Sequence, residues 1–319
     1  MRTGAENDQK LSLVYFGSGP LAAKSLAFLH ENFTVEAVIT KPRPPHHKGP
    51  VPVMEFCQAH GLRCITPANK LELSKVFTST SFDSKLGVVI DYGIIIGRDV
   101  IESFPLGIVN SHFSLLPQWR GADPITFSLL SKQSLAGVSL MLINEKMDEG
   151  PLLAQAKLEI TPSTNAITIT EDLTELSNAL LGEILPLYVN QEILPVPQSS
   201  SIGPSKVPSY SRKLTKQDGI LDWNKPADQL EREIRAYLEW PKSRTSLQDI
   251  DVIVTAAHVA PAATTSNYPG HIDLSKKTGT LLISCSDGSL SIDRLKPAGK
   301  NEMTVAEFIR GYGSRLATD

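Results

Sequence analysis

An asparagine and a histidine two residues apart, Asn110 and His112, stand where an apolar run ends. The run Leu106-Gly107-Ile108-Val109 reads as a short buried strand. Residues i and i+2 of an extended segment point to the same side, so the amide and the imidazole can aim at one point. In open α/β sheets, ligands gather at the carboxyl ends of strands. A neutral hydrogen-bond donor beside a titratable ring suits a reaction that builds an oxyanion and moves a proton. One such donor is worth roughly 3 kcal/mol in an oxyanion hole. A third group, Asp148, occupies the turn Met147-Asp148-Glu149-Gly150. A carboxylate there could favour a protonated imidazole or orient a water. Each residue alone also has an ordinary structural explanation: a strand-end Asn caps a turn, a His packs in a loop, and Asp-x-Gly favours a turn.

Other chemistries find little support. Gly17-Ser18-Gly19 follows a first strand, but Ala22 and Ala23 fill the place of a third glycine, so the segment reads as a tight strand–helix turn and not as a dinucleotide site. There is no nucleophile elbow and no phosphate loop. Cys57, Cys64 and Cys285 lack metal-ligand spacing and suit a reducing cytosol; no metal is expected. His46 and His47 lie in a Pro-rich loop and read as solvated. No apolar run reaches membrane-spanning length, and the first ten residues, a polar tail, lack a signal-peptide core. The 319 residues carry a formal net charge of −3, so no global basic field points to nucleic acid. From Lys206 onward, however, 16 Lys and Arg face 14 Asp and Glu, a mildly basic balance.

The elements that must position these groups alternate. Strands are expected at residues 11–16, 35–40, 63–66, 85–90 and 107–110, with helices at 21–30, 53–60 and 122–130 between and after them. This pattern argues for a parallel-rich, Rossmann-like α/β sheet with crossover helices. Residues 138–144 and 152–160 are strand-like on either side of the Asp148 turn, and 167–188 reads as one long helix. Residues 191–209 are rich in Pro, Ser and Gly and read as a linker. Beyond it come a helix at 228–238 and short strands at 252–259, 270–273, 280–284 and 289–294, a pattern for a small β-barrel or sandwich. The expected organisation is a polar tail at 1–10, a first domain at 11–190, the linker, and a second domain at 210–319.

The run Asn-x-His-x-Ser-Leu-Leu-Pro-x-x-Arg-Gly-Ala from Asn110 to Ala122, with Asp148 in its turn downstream, resembles the signature of the folate-dependent formyltransferases. Tyr15-Phe16-Gly17, Asp91-Tyr92-Gly93-Ile94-Ile95 and Gly137-Val138 extend the resemblance. Tyr210 through Leu214, Ile220-Leu221-Asp222-Trp223, Trp240-Pro241 and Lys296-Pro297-Ala298-Gly299-Lys300 look like the carboxy-terminal domain of the family's members that act on methionyl-tRNA. Three places depart from the pattern: the loop from Thr40 to Val53 is shorter, Gly19-Pro20 replaces Pro-Asp, and Asp91 replaces a small apolar residue.

The resemblance implies transfer of a formyl group from 10-formyltetrahydrofolate to the α-amino group of methionyl initiator tRNA. It implies catalytic roles for Asn110, His112 and Asp148, and a folate site lined by Ser114, Leu115, Leu116 and Pro117 with an apolar wall from Ile94, Ile95 and Ile96. It implies an OB-like carboxy-terminal domain that grips tRNA, with contacts from Lys41, Arg43 and Lys48 in the short loop and from Arg212, Lys213 and Lys216. A cytoplasmic monomer without metal or membrane contact is expected. An amino sugar on a nucleotide as acceptor, or hydrolysis of the folate donor, are the alternatives.

Overall fold

A computed structural model of the protein describes residues 10–46, 48–261 and 268–316. Residues 1–9 of the expected tail, and His47, lie outside the described residues. The described parts of Met1–Pro124, Leu135–Glu159 and Thr170–Tyr210 form one compact unit. Those of Ile125–Ser134, Ile160–Ile169 and Ser211–Asp319 form a second, so two short stretches of the first half of the chain belong with the carboxy-terminal half.

The first unit is built on β1 (Ser12–Gly17), α1 (Gly19–Asn32), β2 (Thr34–Ile39), α2 (Pro52–His60), β3 (Cys64–Ile65), α3 (Lys70–Ser79), β4 (Gly87–Ile90), α4 (Arg98–Glu102), β5 (Ile108–His112) and β6 (Arg120–Gly121). After α5 (Pro124–Leu130), which belongs to the second unit from Ile125 on, come β7 (Leu135–Leu142), β8 (Leu152–Glu159) and α6 (Ala166–Val189). A seven-stranded sheet runs in the order β3-β2-β1-β4-β5-β7-β8. The first five strands in that row are parallel, and β7 and β8 add to the edge in antiparallel pairing. The order reverses between β1 and β4, which opens a crevice at their carboxyl ends. Apolar residues fill both faces, as a sheet with crossovers on both sides requires. On one face Phe16 packs against Phe77, Tyr92 and Phe104, within a core that includes Val14, Ile39, Leu73 and Ile108.

Three helices escape the periodicity reading, α3, the short α4 and the last helix of the chain, and the first and last of these open instead on capping signals. Asn69 accepts from the Glu72 amide at 3.0 Å while Glu72 reaches back to the Ala68 amide at 2.8 Å, which starts α3. Thr304 and Glu307 do the same for α8 (Val305–Leu316), the last helix.

The second unit follows β9 (Tyr210–Ser211) and carries α7 (Ala227–Ala236), β10 (Ser243–Leu247), β11 (Ile250–Val259), β12 (Ile272–Ser275), β13 (Thr280–Ser284), β14 (Ser289–Pro297), β15 (Met303–Thr304) and α8. Its sheet is antiparallel, in the order β10-β11-β14-β13-β12 with β15 on β14. Leu230, Ile234, Val254, Leu281, Leu290, Leu295 and Phe308 form its buried core. This is the small antiparallel β domain expected beside the α/β domain, and it agrees with an OB-like fold. Strand β10 at 243–247 had no counterpart in the sequence reading; polar Ser243, Arg244, Thr245 and Ser246 hide its period.

Candidate functional site

Strand β5 runs through His112, two residues beyond the expected end. Ile108 and Val109 are fully buried between β4 and β7. The pleat then alternates as expected. Ser111 points away from the cavity and meets Ser177 of α6, oxygen to oxygen, at 2.6 Å. Asn110 and His112 line a cavity of about 470 Å³ with Gly121 and Asp148. Asp91 and Ile94, Ile95 and Ile96 bound it on one side, and Met141, Ile143 and the loop from Asn144 to Met147 on the other. Ile94 and Ile96 also pack against the Phe16 core, so they serve core and cavity at once.

The histidine is held by its far nitrogen. His112 Nε2 lies 2.9 Å from the Trp119 carbonyl. A carbonyl only accepts, so Nε2 carries the hydrogen and donates. Nδ1 is left facing Asp148, 3.8 Å from Oδ2. Asp148 accepts the Gly121 amide on Oδ2 at 2.7 Å and approaches Asn110 Nδ2 through Oδ1 at 3.5 Å. Asn110 and His112 thus meet around the Asp148 carboxylate. The His112 and Asp148 side chains retain only 7% and 16% of their exposure, so solvent screening is weak here.

Asp148 takes a left-handed backbone conformation, φ 51°, which disfavours side chains other than Gly, Asn and Asp. Gly150 follows because a Cβ there would sit 1.7 Å from the Leu142 carbonyl oxygen. The close return of the turn to β7 admits glycine alone.

Ser114, Leu115, Leu116 and Pro117, expected along the folate site, follow directly on β5. All four are buried and none lines the cavity. Ser114 Oγ donates to the Gln118 carbonyl at 2.6 Å, and Ser139 Oγ joins the Ser114 carbonyl to the Leu116 amide. Gln155 donates to the Leu116 carbonyl at 3.0 Å. These bonds fold the segment after β5 back on itself and bring the Trp119 carbonyl onto the His112 ring. The segment thus supports the histidine.

Asp91, at the rim, is open to solvent on one side. Shielding on the other side raises its carboxyl to about 6, with Asp123 adding to the rise and Lys41 opposing it. Lys41 itself is exposed, with its ammonium against Gly93. Arg43 donates to the Gly49 carbonyl at 3.0 Å, closing its own loop, and Lys48 is exposed. In the second unit Lys213 and Lys216 are exposed, whereas Arg212 is locked to Asp218 through two short contacts of 2.5 and 3.0 Å. That pairing holds the Asp218 carboxyl far below the usual carboxylate range, together with the Thr215 contacts.

Two residues escaped the sequence reading as site residues. Arg120 belongs to the signature run but had been given no role. Gln198 lies in the stretch read as a linker. Its Oε1 accepts from Arg120 Nη2 at 2.7 Å and Nε at 3.2 Å, and its Nε2 donates to the carbonyls of Asp148 and Gly150 at 2.7 and 2.9 Å. Among the described residues no group of three or more His, Cys, Asp and Glu could hold a metal ion, and no helix is long and apolar enough to cross a membrane.

Residues 24–185 match the formyl transferase family, and residues 213–313 match the formyl transferase carboxy-terminal domain. A methionyl-tRNA formyltransferase of Myxococcus xanthus is 34% identical over 304 residues, covering 94% of this chain and 95% of that protein. A methionyl-tRNA formyltransferase of Chloroflexus aggregans is 32% identical over 306 residues, covering 94% and 97%. Among solved structures, an N-formyltransferase of Helicobacter canadensis in complex with folinic acid and dTDP-3-aminofucose aligns with a TM-score of 0.67 at 16% identity, over 88% of this chain and 98% of its own. That likeness concerns the fold. With both domains matched in order and with identity above 30% along nearly the whole length, the chain belongs to the formyl transferase family.

Proposed function

We propose that the protein transfers the formyl group of 10-formyltetrahydrofolate to the α-amino group of methionyl initiator tRNA. The observation that carries this reading is the convergence of Asn110, His112 and Asp148 on one cavity with an apolar wall. An apolar slot with a few polar anchors suits a pterin ring. Two-domain relatives along the full chain are named for methionyl-tRNA, and folate-derived molecules occupy related structures, folinic acid in the Helicobacter canadensis enzyme among them.

The amine nitrogen attacks the formyl carbon, and the carbonyl oxygen takes the negative charge. Asn110 Nδ2 and the protonated Nδ1 of His112 are the donors for that oxyanion. The Trp119 carbonyl commits Nε2, so Nδ1 is the nitrogen that acts. Asp148 pairs with the imidazolium and receives the amine proton, directly or through a water. The carbon–N10 bond then breaks, and the proton ends on N10 of the released tetrahydrofolate. No covalent enzyme intermediate forms, and holding both substrates in place supplies a large part of the rate.

The second domain would hold the tRNA by its backbone charge, with Lys213 and Lys216 as contacts and Arg212 as a lesser one. Lys41, Arg43 and Lys48 would meet the acceptor end. The protein works as a cytoplasmic monomer. The test is formyl transfer by the purified protein from 10-formyltetrahydrofolate to charged initiator and elongator methionyl-tRNA. Turnover selective for the initiator is expected. Transfer to a nucleotide-linked amino sugar, or formate release with water as the only acceptor, would overturn the reading.

A further inference from the structure

The turn that presents Asp148 is gripped from a part of the chain with no apparent reason to be there. Residues 191–209 have the composition of a linker. Yet Val196 exchanges two backbone hydrogen bonds with Leu152, at 2.7 and 2.8 Å, just after the turn. A short 3-10 turn at Gln198–Ser200 follows. It seats Gln198, 7% exposed, beneath the loop.

The bonding of Gln198 is complete. A carboxamide has two N–H donors and two acceptor lone pairs. Here both hydrogens go to the carbonyls of Asp148 and Gly150, and Oε1 takes two contacts from the Arg120 guanidinium. Reversing the amide would set its NH2 against a cation and its oxygen against two carbonyls, so the orientation is fixed. Arg120 extends the grip: its Nη1 lies 3.3 Å from Glu149 Oε1. The next residue, Gly121, supplies the amide that holds Asp148 Oδ2. Asp148, Glu149 and Gly150 are thus each tied to the Gln198–Arg120 pair.

We propose that Gln198 is a positioning residue for formyl transfer: by bridging Arg120 to the Asp148 turn it sets the distance between the Asp148 carboxylate and His112 Nδ1. This rests on the catalytic reading of Asp148 given above. Binding of folate or tRNA does not require Gln198, which lines neither the cavity nor the exposed basic patches.

The experiment compares steady-state transfer by Gln198→Ala and Gln198→Glu with that of the parent and of Asp148→Asn, with 10-formyltetrahydrofolate and charged initiator methionyl-tRNA. A shift on the order of 1 Å at a catalytic group costs about a hundredfold. For Gln198→Ala kcat is expected to fall by about 10- to 100-fold, with KM for both substrates within about twofold of the parent. Gln198→Glu keeps the bulk and the Arg120 pairing but turns a carboxylate oxygen toward two carbonyls. Its kcat is expected to fall likewise. The ratio of its kcat to that of the parent should rise from about pH 8 to about pH 5, as a protonated glutamic acid regains one donor. Should Gln198→Ala fail to fold, Gln198→Glu decides. Parent-like kcat in either folded variant, or a pH-independent ratio for Gln198→Glu, overturns the positioning role. Parent-like transfer by Asp148→Asn would instead overturn the catalytic reading beneath it.

Discussion

The Asp148 turn and the exposed lysines are held in opposite ways. Asp148 is fixed by the Gly121 amide, by the Gln198 contacts to its own carbonyl and by a neighbouring Glu149–Arg120 pair. His112 is fixed through Nε2 and is almost fully enclosed. Lys48, Lys213 and Lys216 are by contrast exposed at the ends of flexible stems. On the proposed roles, the difference follows from what each group must do. An oxyanion donor is useful only at the place where charge develops, so its geometry must be set in advance. A phosphate backbone is recognised by summed charge and tolerates moving partners. Arg212 stands between the two classes, since Asp218 already neutralises it.

The strongest way to break this comparison is at the three converging side chains. Asn110→Ala, His112→Ala and Asp148→Asn are each expected to lower kcat by about 100- to 1000-fold, with donor KM changed far less. A rapid-quench assay of formyl transfer reads both. On the proposed mechanism the three act on one oxyanion and one proton, so the double variant Asn110→Ala with Asp148→Asn should fall well short of the product of the single losses. Independent, multiplicative losses would show that the groups do not share a transition state.

This cluster also marks how far the sequence could be read. Asn110 and His112 were legible because a strand's period of two fixes their common side whatever the rest of the fold does. Asp148 was legible as a turn, but its place beside His112 depends on the Gly121 amide, 27 residues away. The run Ser114 to Pro117 shows the opposite difficulty. A motif records that residues are needed without telling a ligand's neighbour from the scaffold beneath it, and here the bonds among Ser114, Gln118 and Ser139 support the histidine. Gln198 had no local signal at all, because its partners lie 78 and 50 residues away and its surroundings have the composition of a loop. The α3 and α8 starts could have been found: Asn69 with Glu72 and Thr304 with Glu307 are capping pairs in plain view.

A middle-sized effect is expected on the exposed side of the comparison. Lys213→Ala with Lys216→Ala should raise KM for methionyl-tRNA by about 3- to 10-fold and lower the salt slope of tRNA binding by about one to two. It should leave kcat at saturating tRNA unchanged. Arg212→Ala should do less, since its charge is already met by Asp218. Filter binding at several salt concentrations measures the slope. An equal or larger loss for Arg212→Ala would mean that the pair opens when tRNA arrives, and that the paired and exposed basic residues form one surface.

The smallest effect falls on Asp91, which has features of both regions: a rim position open to solvent and a carboxyl raised to about 6. The sign follows from linkage. A carboxyl whose pKa is higher in the folded than in the unfolded chain binds its proton more tightly when folded, so ionising it costs stability. That cost is absent below about pH 4, where both states are protonated. It grows until the folded pKa is passed near 6 and is constant above it. Asp91→Asn, which carries no charge, should therefore match the parent in Tm at about pH 4 and exceed it by about 1–3 °C at about pH 7.5. Lys41 opposes the rise, so Lys41→Met should lift the Asp91 pKa further and extend the cost to higher pH. Scanning calorimetry of the three proteins across this range separates the terms. A gain for Asp91→Asn that is equally large at about pH 4 would assign the effect to packing at the rim and not to the buried side of the charge.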